Sequence, residues 1–183
     1  MKTLVLGKEH FKETENYWKD YIGPEDVSNF DGHIEIEGNL GYVRFSGFIR
    51  ATGNITAKAG SGIEAGLGIE AGLGIEAGVG IEAGEGIEAG EGIEAGEGIE
   101  AGLGIEAGEG IEAGEGIEAG LGIEAGSGIK AGLSIISTKI INFRFQLFAG
   151  ICTWRKVEDE DKKIKCIKAI GGKIEYGILE EIK

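Results

Sequence analysis

The chain has 183 residues, with 18 basic and 32 acidic side chains and a formal net charge of −14. An acidic surface repels phosphate, so direct binding to nucleic acid is not expected. Two cysteines do not make a disulfide framework, and no apolar run approaches the ~20 residues of a membrane helix, so one elongated domain with no membrane partner is expected.

Residues 2–7 read as a short strand. Lys8 to Ile22 is predicted to be a helix ended by Gly23-Pro24, with Phe11, Trp18 and Ile22 on one face and Tyr21 alongside. That face would lie over the open end of the downstream repeat, making residues 1–42 an N-terminal cap with one helix. His33 to Glu37 alternates as a strand, and Gly38-Asn39 is a turn signal. From Val43 the spacing apolar-x-apolar recurs every six residues, in Val43-Arg44-Phe45, Ile49-Arg50-Ala51 and Ile55-Thr56-Ala57. The step from Ile55 to Ile63 is two residues too long, which places an insertion at that point.

From Gly62 to Ile135 the period is strict, and the unit is Ile-Glu-Ala-Gly-x-Gly. Fixed short-period self-similarity marks a repeat architecture. A six-residue period with two glycines suits a helix poorly, since each Gly costs ~1 kcal/mol relative to Ala. In a strand, Ile and Ala share one face and Glu takes the other. Continued alternation would bury the variable residue, which is Glu at positions 85, 91, 97, 109 and 115, and unpaired buried carboxylates are untenable. The strand must therefore end there, and Gly-x-Gly is read as a corner in which Gly supplies φ > 0. The expectation is a mainly β protein, a parallel β-helix (solenoid) with about three hexads per coil. The small residue falls two after the aliphatic one, not four as in left-handed hexapeptide acyltransferases, which favours a right-handed coil. The register persists through Leu147-Phe148-Ala149, so the solenoid is expected over 43–150, as six coils spanning ~29 Å. Residues 151–183 are read as a β-rich C-terminal cap. Its strands are Ile151–Val157 and Lys163–Lys168, joined by the acidic turn Glu158–Asp161, then Gly171-Gly172 leading to Lys173–Tyr176.

The acidity belongs to the repeat: residues 59–135 carry 16 Glu and one Lys. The coil size sorts the second-position Glu into three columns. They are Glu64, Glu82, Glu100, Glu118; then Glu70, Glu88, Glu106, Glu124; then Glu76, Glu94, Glu112, ending in Lys130. All second-position Glu are expected to be fully exposed. Column neighbours ~4.8 Å apart repel by ~0.9 kcal/mol even in water, which solubility alone does not require. Corner residues add a candidate ridge of Leu67, Leu103 and Leu121.

Nothing catalytic stands out. His10 and His33 have no partner at ligand spacing, and neither a nucleophile elbow nor a phosphate loop occurs. No catalytic residue, metal or cofactor is expected, and the protein is not read as an enzyme. Three Glu per ~4.8 Å coil is one charge per ~1.6 Å, against ~1.7 Å for duplex DNA. In architecture and charge the chain resembles acidic β-solenoid nucleic-acid mimics, such as the pentapeptide-repeat gyrase inhibitors, without their five-residue period. It is also similar to small phage anti-defence proteins, including anti-CRISPRs. The resemblance implies a partner that is a basic nucleic-acid-binding enzyme, a CRISPR effector or another nuclease. The short apolar run after Met1 does not read as a signal peptide, and with two free thiols a cytoplasmic setting is expected, that of the host if phage-encoded. The partner-binding residues expected are Glu82, Glu85, Glu88, Glu91, Glu94, Glu97, Glu100 and Glu106, with Leu67, Leu103 and Leu121 as a secondary ridge. The alternative is a rigid solenoid rod with a structural or self-assembling role; a homodimer fits either reading.

Overall fold

Ile and Ala two residues apart form a three-residue strand that buries both, and this unit builds the molecule. The computed structural model describes residues 1–14 and 18–183. Strands β1 (Thr3–Leu6), β2 (Phe11–Glu13), β3 (Lys19–Tyr21) and β4 (His33–Ile36) open the chain. Then come β5 (Gly41–Phe45), β6 (Ile49–Ala51), β7 (Ile55–Ala57) and β8 (Ser61–Ala65). Strands β9 to β19 are each the Ile-x-Ala of one hexad, from Ile69–Ala71 to Ile129–Ala131. The last are β20 (Ile135–Ser137), β21 (Ile140–Ala149), β22 (Lys163–Cys166), β23 (Lys168–Tyr176) and β24 (Ile178–Glu181).

From β4 to β20 every third strand stacks in parallel, giving a mainly β, parallel β-solenoid of about eight coils with three faces. At ~4.8 Å per coil that is ~38 Å, longer than the six coils expected. Ile63, Ile81, Ile99, Ile117 and Ile135 pair in turn on one face, eighteen residues apart. Repeat Ile side chains are 0–1% exposed and fill the prism with Ala. The first coil is longer: Val43, Ile49 and Ile55 pair with Ile63, Ile69 and Ile75. That twenty-residue step is the two-residue insertion seen in the sequence.

The corner glycines serve a different purpose from the one expected. Positive φ among glycines is confined to Gly32, Gly41, Gly60, Gly150, Gly171 and Gly177, none of them a Gly-x-Gly corner of the repeat. The fourth-position Gly is required by the coil beneath it. A Cβ on Gly102 would sit 2.2 Å from the carbonyl oxygen of Gly84. The sixth-position Gly is less constrained: a Cβ on Gly104 would lie 3.4 Å from the Gly122 oxygen, an ordinary contact. Where Arg144-Phe145-Gln146 replaces Gly-x-Gly, β21 runs on through the corner.

The ends correct two further expectations. The N-terminal helix is absent: Lys8–His10 is a single 3₁₀ turn, and β2 and β3 flank residues 15–17, on which part of the expected helix falls and which lie outside the described residues. β2 and β3 pair antiparallel, with Phe11 opposite Tyr21, and β3 joins the edge of β5. Both rings then meet Phe45, at centroid distances of 6.0 and 5.2 Å. The open edge of the first coil offers unpaired backbone groups, which a strand satisfies and a helix does not. Phe11 and Tyr21 do cover the core end, whereas Ile22 is exposed. At the other end Ile151–Val157 is not a strand. Alternation there would point either Arg155 or Lys156 into the core, so the segment loops out, and Arg155 grips Asp161 through both guanidinium nitrogens at 2.7 and 2.8 Å. The parallel register resumes at Ile164, which pairs with Ile135 and then Leu179, while β23 follows β21 around two faces. No helix among the described residues is long and apolar enough to cross a membrane.

Candidate partner-binding gutters

Each hexad presents three outward features in sequence order: a face Glu, a projecting corner residue and a recessed sixth-position Gly. Stacking turns the last into a gutter with a glycine floor. One wall is a column of face Glu, and the other is a column of corner residues. Three such gutters run along the axis, of about 250, 440 and 730 Å³.

The first coil stoppers all three, because its sixth-position residues are not glycine. In gutter I the Tyr42 ring lies over Gly62 and its hydroxyl reaches over Gly80. In gutter II the Phe48 ring lies over Gly68. In gutter III Asn54 Oδ1 accepts a hydrogen bond from Gly74 N at 2.9 Å. Gutter I continues between Glu82, Glu100, Glu118 and Glu97, Glu115. Gutter III lies between Glu76, Glu94, Glu112 and Glu91, and Lys130 closes its carboxylate column. Gutter II, the roomiest, has Glu70, Glu88, Glu106 and Glu124 on one wall and Glu85 and Leu103 on the other.

The three face columns are in register. Glu64, Glu82, Glu100 and Glu118 pair in turn, as do Glu70, Glu88, Glu106 and Glu124, and Glu76, Glu94, Glu112 and Lys130. The corner column Leu67, Glu85, Leu103, Leu121 is held by backbone hydrogen bonds of 2.8, 2.9 and 2.8 Å, and its three Leu are exposed. The eight Glu singled out from the sequence therefore divide by gutter. Glu82, Glu97 and Glu100 line gutter I, Glu85, Glu88 and Glu106 line gutter II, and Glu91 and Glu94 line gutter III. They do not form one patch.

Not all face Glu are fully exposed, contrary to expectation. Glu64, Glu70 and Glu82 are half-buried, because first-coil side chains lean over them. Burial pushes the Glu64 carboxyl above its ordinary value, opposed by Arg44 and aided by Asp20. Burial raises Glu82 too; a hydrogen bond from Tyr42 opposes this, and the charges of Glu64 and Glu100 add to it. The Tyr42 phenol is raised in turn, by burial first and then by Glu82 and Glu97.

At the head of gutter II the chain places its own cation. The Arg50 guanidinium lies 3.5 Å above the centre of the Phe48 ring. Its Nη2 donates to Glu70 Oε1 at 2.8 Å. Its Nε lies 2.7 Å from Oε2, an ion pair whose angle is off-axis for a hydrogen bond. The gutter thus seats a guanidinium between an aromatic floor and a ladder carboxylate. Among the described residues no three metal-ligating side chains converge on one point. The columns offer rows of acceptors rather than a cage.

Sequence reasoning found the columns but missed the gutters. The signal was present: Tyr42, Phe48 and Asn54 occupy, in the degenerate first coil, the position held by Gly from Gly62 to Gly128.

Fold and grooves together define an acidic, parallel β-solenoid with eighteen-residue coils. Comparison with protein families, with curated proteins and with solved structures finds no match.

Proposed function

We propose that the protein is a non-enzymatic nucleic-acid mimic that occupies the cationic groove of a nucleic-acid-binding enzyme, a CRISPR effector or another nuclease. The observation that carries this reading is the register of the three Glu columns. Identical carboxylates stack at the inter-strand spacing along one axis, at a linear charge density close to that of duplex DNA. Such stacking opposes folding, so a compensating use is expected. Gutter II is the preferred face, since Glu88 and Glu106 lie across from Glu85 and Leu103, and Leu can pack the aliphatic stem of a Lys or Arg.

The test begins with a partner recovered by co-purification and an assay of DNA binding by that partner. The protein should compete with DNA and should not itself bind DNA. The triple variant Glu85→Lys, Glu88→Lys, Glu106→Lys should lose competition by a factor of ~100 or more while keeping its β circular dichroism, from several charge pairs worth ~1 kcal/mol or more each. Undiminished competition by the folded variant would refute mimicry through this gutter. A second reading, a rigid rod that assembles with other copies, draws on the apolar side chains gathered at the C-terminal end.

A further inference from the structure

The two ends of the solenoid are finished differently. At the N-terminal end Leu6, Phe11, Val27 and Leu40 are buried, and among the described residues there only Met1, Val5 and Ile22 are large, apolar and exposed. From residue 140 onward there are eight such side chains among the described residues, including Ile170, Tyr176, Ile178 and Leu179. The last four belong to β23 and β24, which form the final coil. Each of these strands has a single hydrogen-bonded neighbour, β21 and β22 respectively, so their outer backbone groups are unpaired. Leu179 lies in the inward column, opposite buried Ile164, yet it is 42% exposed because no described residue covers it. Ala169 and Ile174 occupy the inward columns of the other two faces and are only partly buried. Among the described residues nothing closes the core at this end.

Charge says what can cover it. Lateral contact between rods would set Glu columns against Glu columns. Residues 168–183 instead carry Lys168, Lys173 and Lys183 against Glu175, Glu180 and Glu181, and are electroneutral. This terminal coil can meet an identical surface with cations facing carboxylates, the self-complementarity that a two-fold interface needs.

We infer that the protein is a two-fold dimer in which the terminal coils of two copies stack end to end. The axis runs through Leu179 of β24 and the Gly171-Gly172 corner, so that each inward Leu179 faces its own copy. β24 then pairs antiparallel with its own copy, and the two halves of β23 pair with the opposite halves of the partner's. Leu179, Ala169 and Ile174 of both copies close one continuous core, and the acidic rod doubles in length.

Sedimentation equilibrium of the full chain should give a saturating mass of twice 19.1 kDa. Leu179→Lys and Ile170→Lys, each tested for retained β circular dichroism, should raise the dimer dissociation constant by ~30-fold or more, the scale of an interface hot spot. Hydrogen exchange on the unsubstituted chain is independent of whether those variants fold: β24 amides should be protected at high concentration and released on dilution. A monomer at all concentrations, growth without saturation from head-to-tail stacking, or β24 protection indifferent to dilution would overturn the proposal. So would a dimer unchanged by both folded variants.

Discussion

Replacing Gly102 by Ala tests what sets the spacing of the coils. The new Cβ would lie 2.2 Å from the carbonyl oxygen of Gly84, whereas a C···O contact rests at about 3.3–3.6 Å. Neither atom belongs to a flexible side chain, so the two coils must part by about 1 Å at that corner. Two ladder bonds cross there, Gly102 N to Ala83 O and Leu103 N to Glu85 O, both 2.9 Å. Lengthened by that much they leave the hydrogen-bonding range, at about 0.5–1.5 kcal/mol each. Overpacking of the adjoining core adds about 1–3 kcal/mol. The reduced freedom of the unfolded chain returns about 0.4–1 kcal/mol. The net expectation is a loss of about 2–4 kcal/mol, or a melting temperature lower by about 5–15 °C. Gly104→Ala, two residues away, meets only an ordinary contact with Gly122 and should be neutral or stabilising by up to about 1 kcal/mol. Thermal unfolding followed by circular dichroism at one pH compares the two. Equal melting temperatures would show that backbone contact at the fourth position does not set the coil spacing.

Stability should fall as pH rises. Glu64 and Glu82 have folded-state values raised above their unfolded ones, so the folded protein holds protons more tightly, and stability is lost as pH climbs from the ordinary carboxylate value through the raised ones. Melting at pH 5 should therefore exceed melting at pH 8, and the double variant Glu64→Gln, Glu82→Gln should reduce that difference; no change in the difference would refute the assignment. Arg50→Ala should cost about 1 kcal/mol, from a half-exposed ion pair with Glu70 and the stack on Phe48, with the cost smaller in high salt. An alkylating reagent should label half-buried Cys152 in the folded protein and reach Cys166 only on unfolding, because Cys166 is fully buried and its thiol is pushed up by that burial. Peptide mass mapping distinguishes the two sites.

Most of the repeat was legible because its chemistry is over-determined. Period six with Ile and Ala two apart admits a short strand and little else, and the eight-residue step at Ile55 announced the twenty-residue first coil. Glycine was misread at the corners because sequence does not separate two demands for it, a positive φ and a backbone approaching its missing Cβ. Of the face expected to plug the core, Phe11 does so and Ile22 does not, Tyr21 from alongside it takes part instead, and a helix was expected of residues that an open sheet edge turns into strands. Tertiary demand there outweighed local pattern. At Ile151–Val157 the alternation of size was read and that of charge was not, although neither face of such a strand is free of Arg155 or Lys156. The eight Glu ascribed to one surface fall into three gutters, because a coil distributes consecutive hexads over three faces.

The assignment of consecutive hexads to consecutive faces also bears on how such a molecule changes over generations. Near-identical units in tandem invite slippage when they are copied, and the fold treats the possible slips unequally. Gain or loss of three hexads lengthens or shortens the rod by one storey and leaves every column intact, with Arg50 still heading the ladder that begins at Glu70 and Lys130 still closing the one that holds Glu112. Loss of one hexad moves everything downstream to the next face. The ladder closed by Lys130 would then begin from a different stopper, and the loop that carries Trp154 would project from another side. Inheritance should therefore count this protein in units of eighteen residues, with its length free to drift and its angular order held fixed.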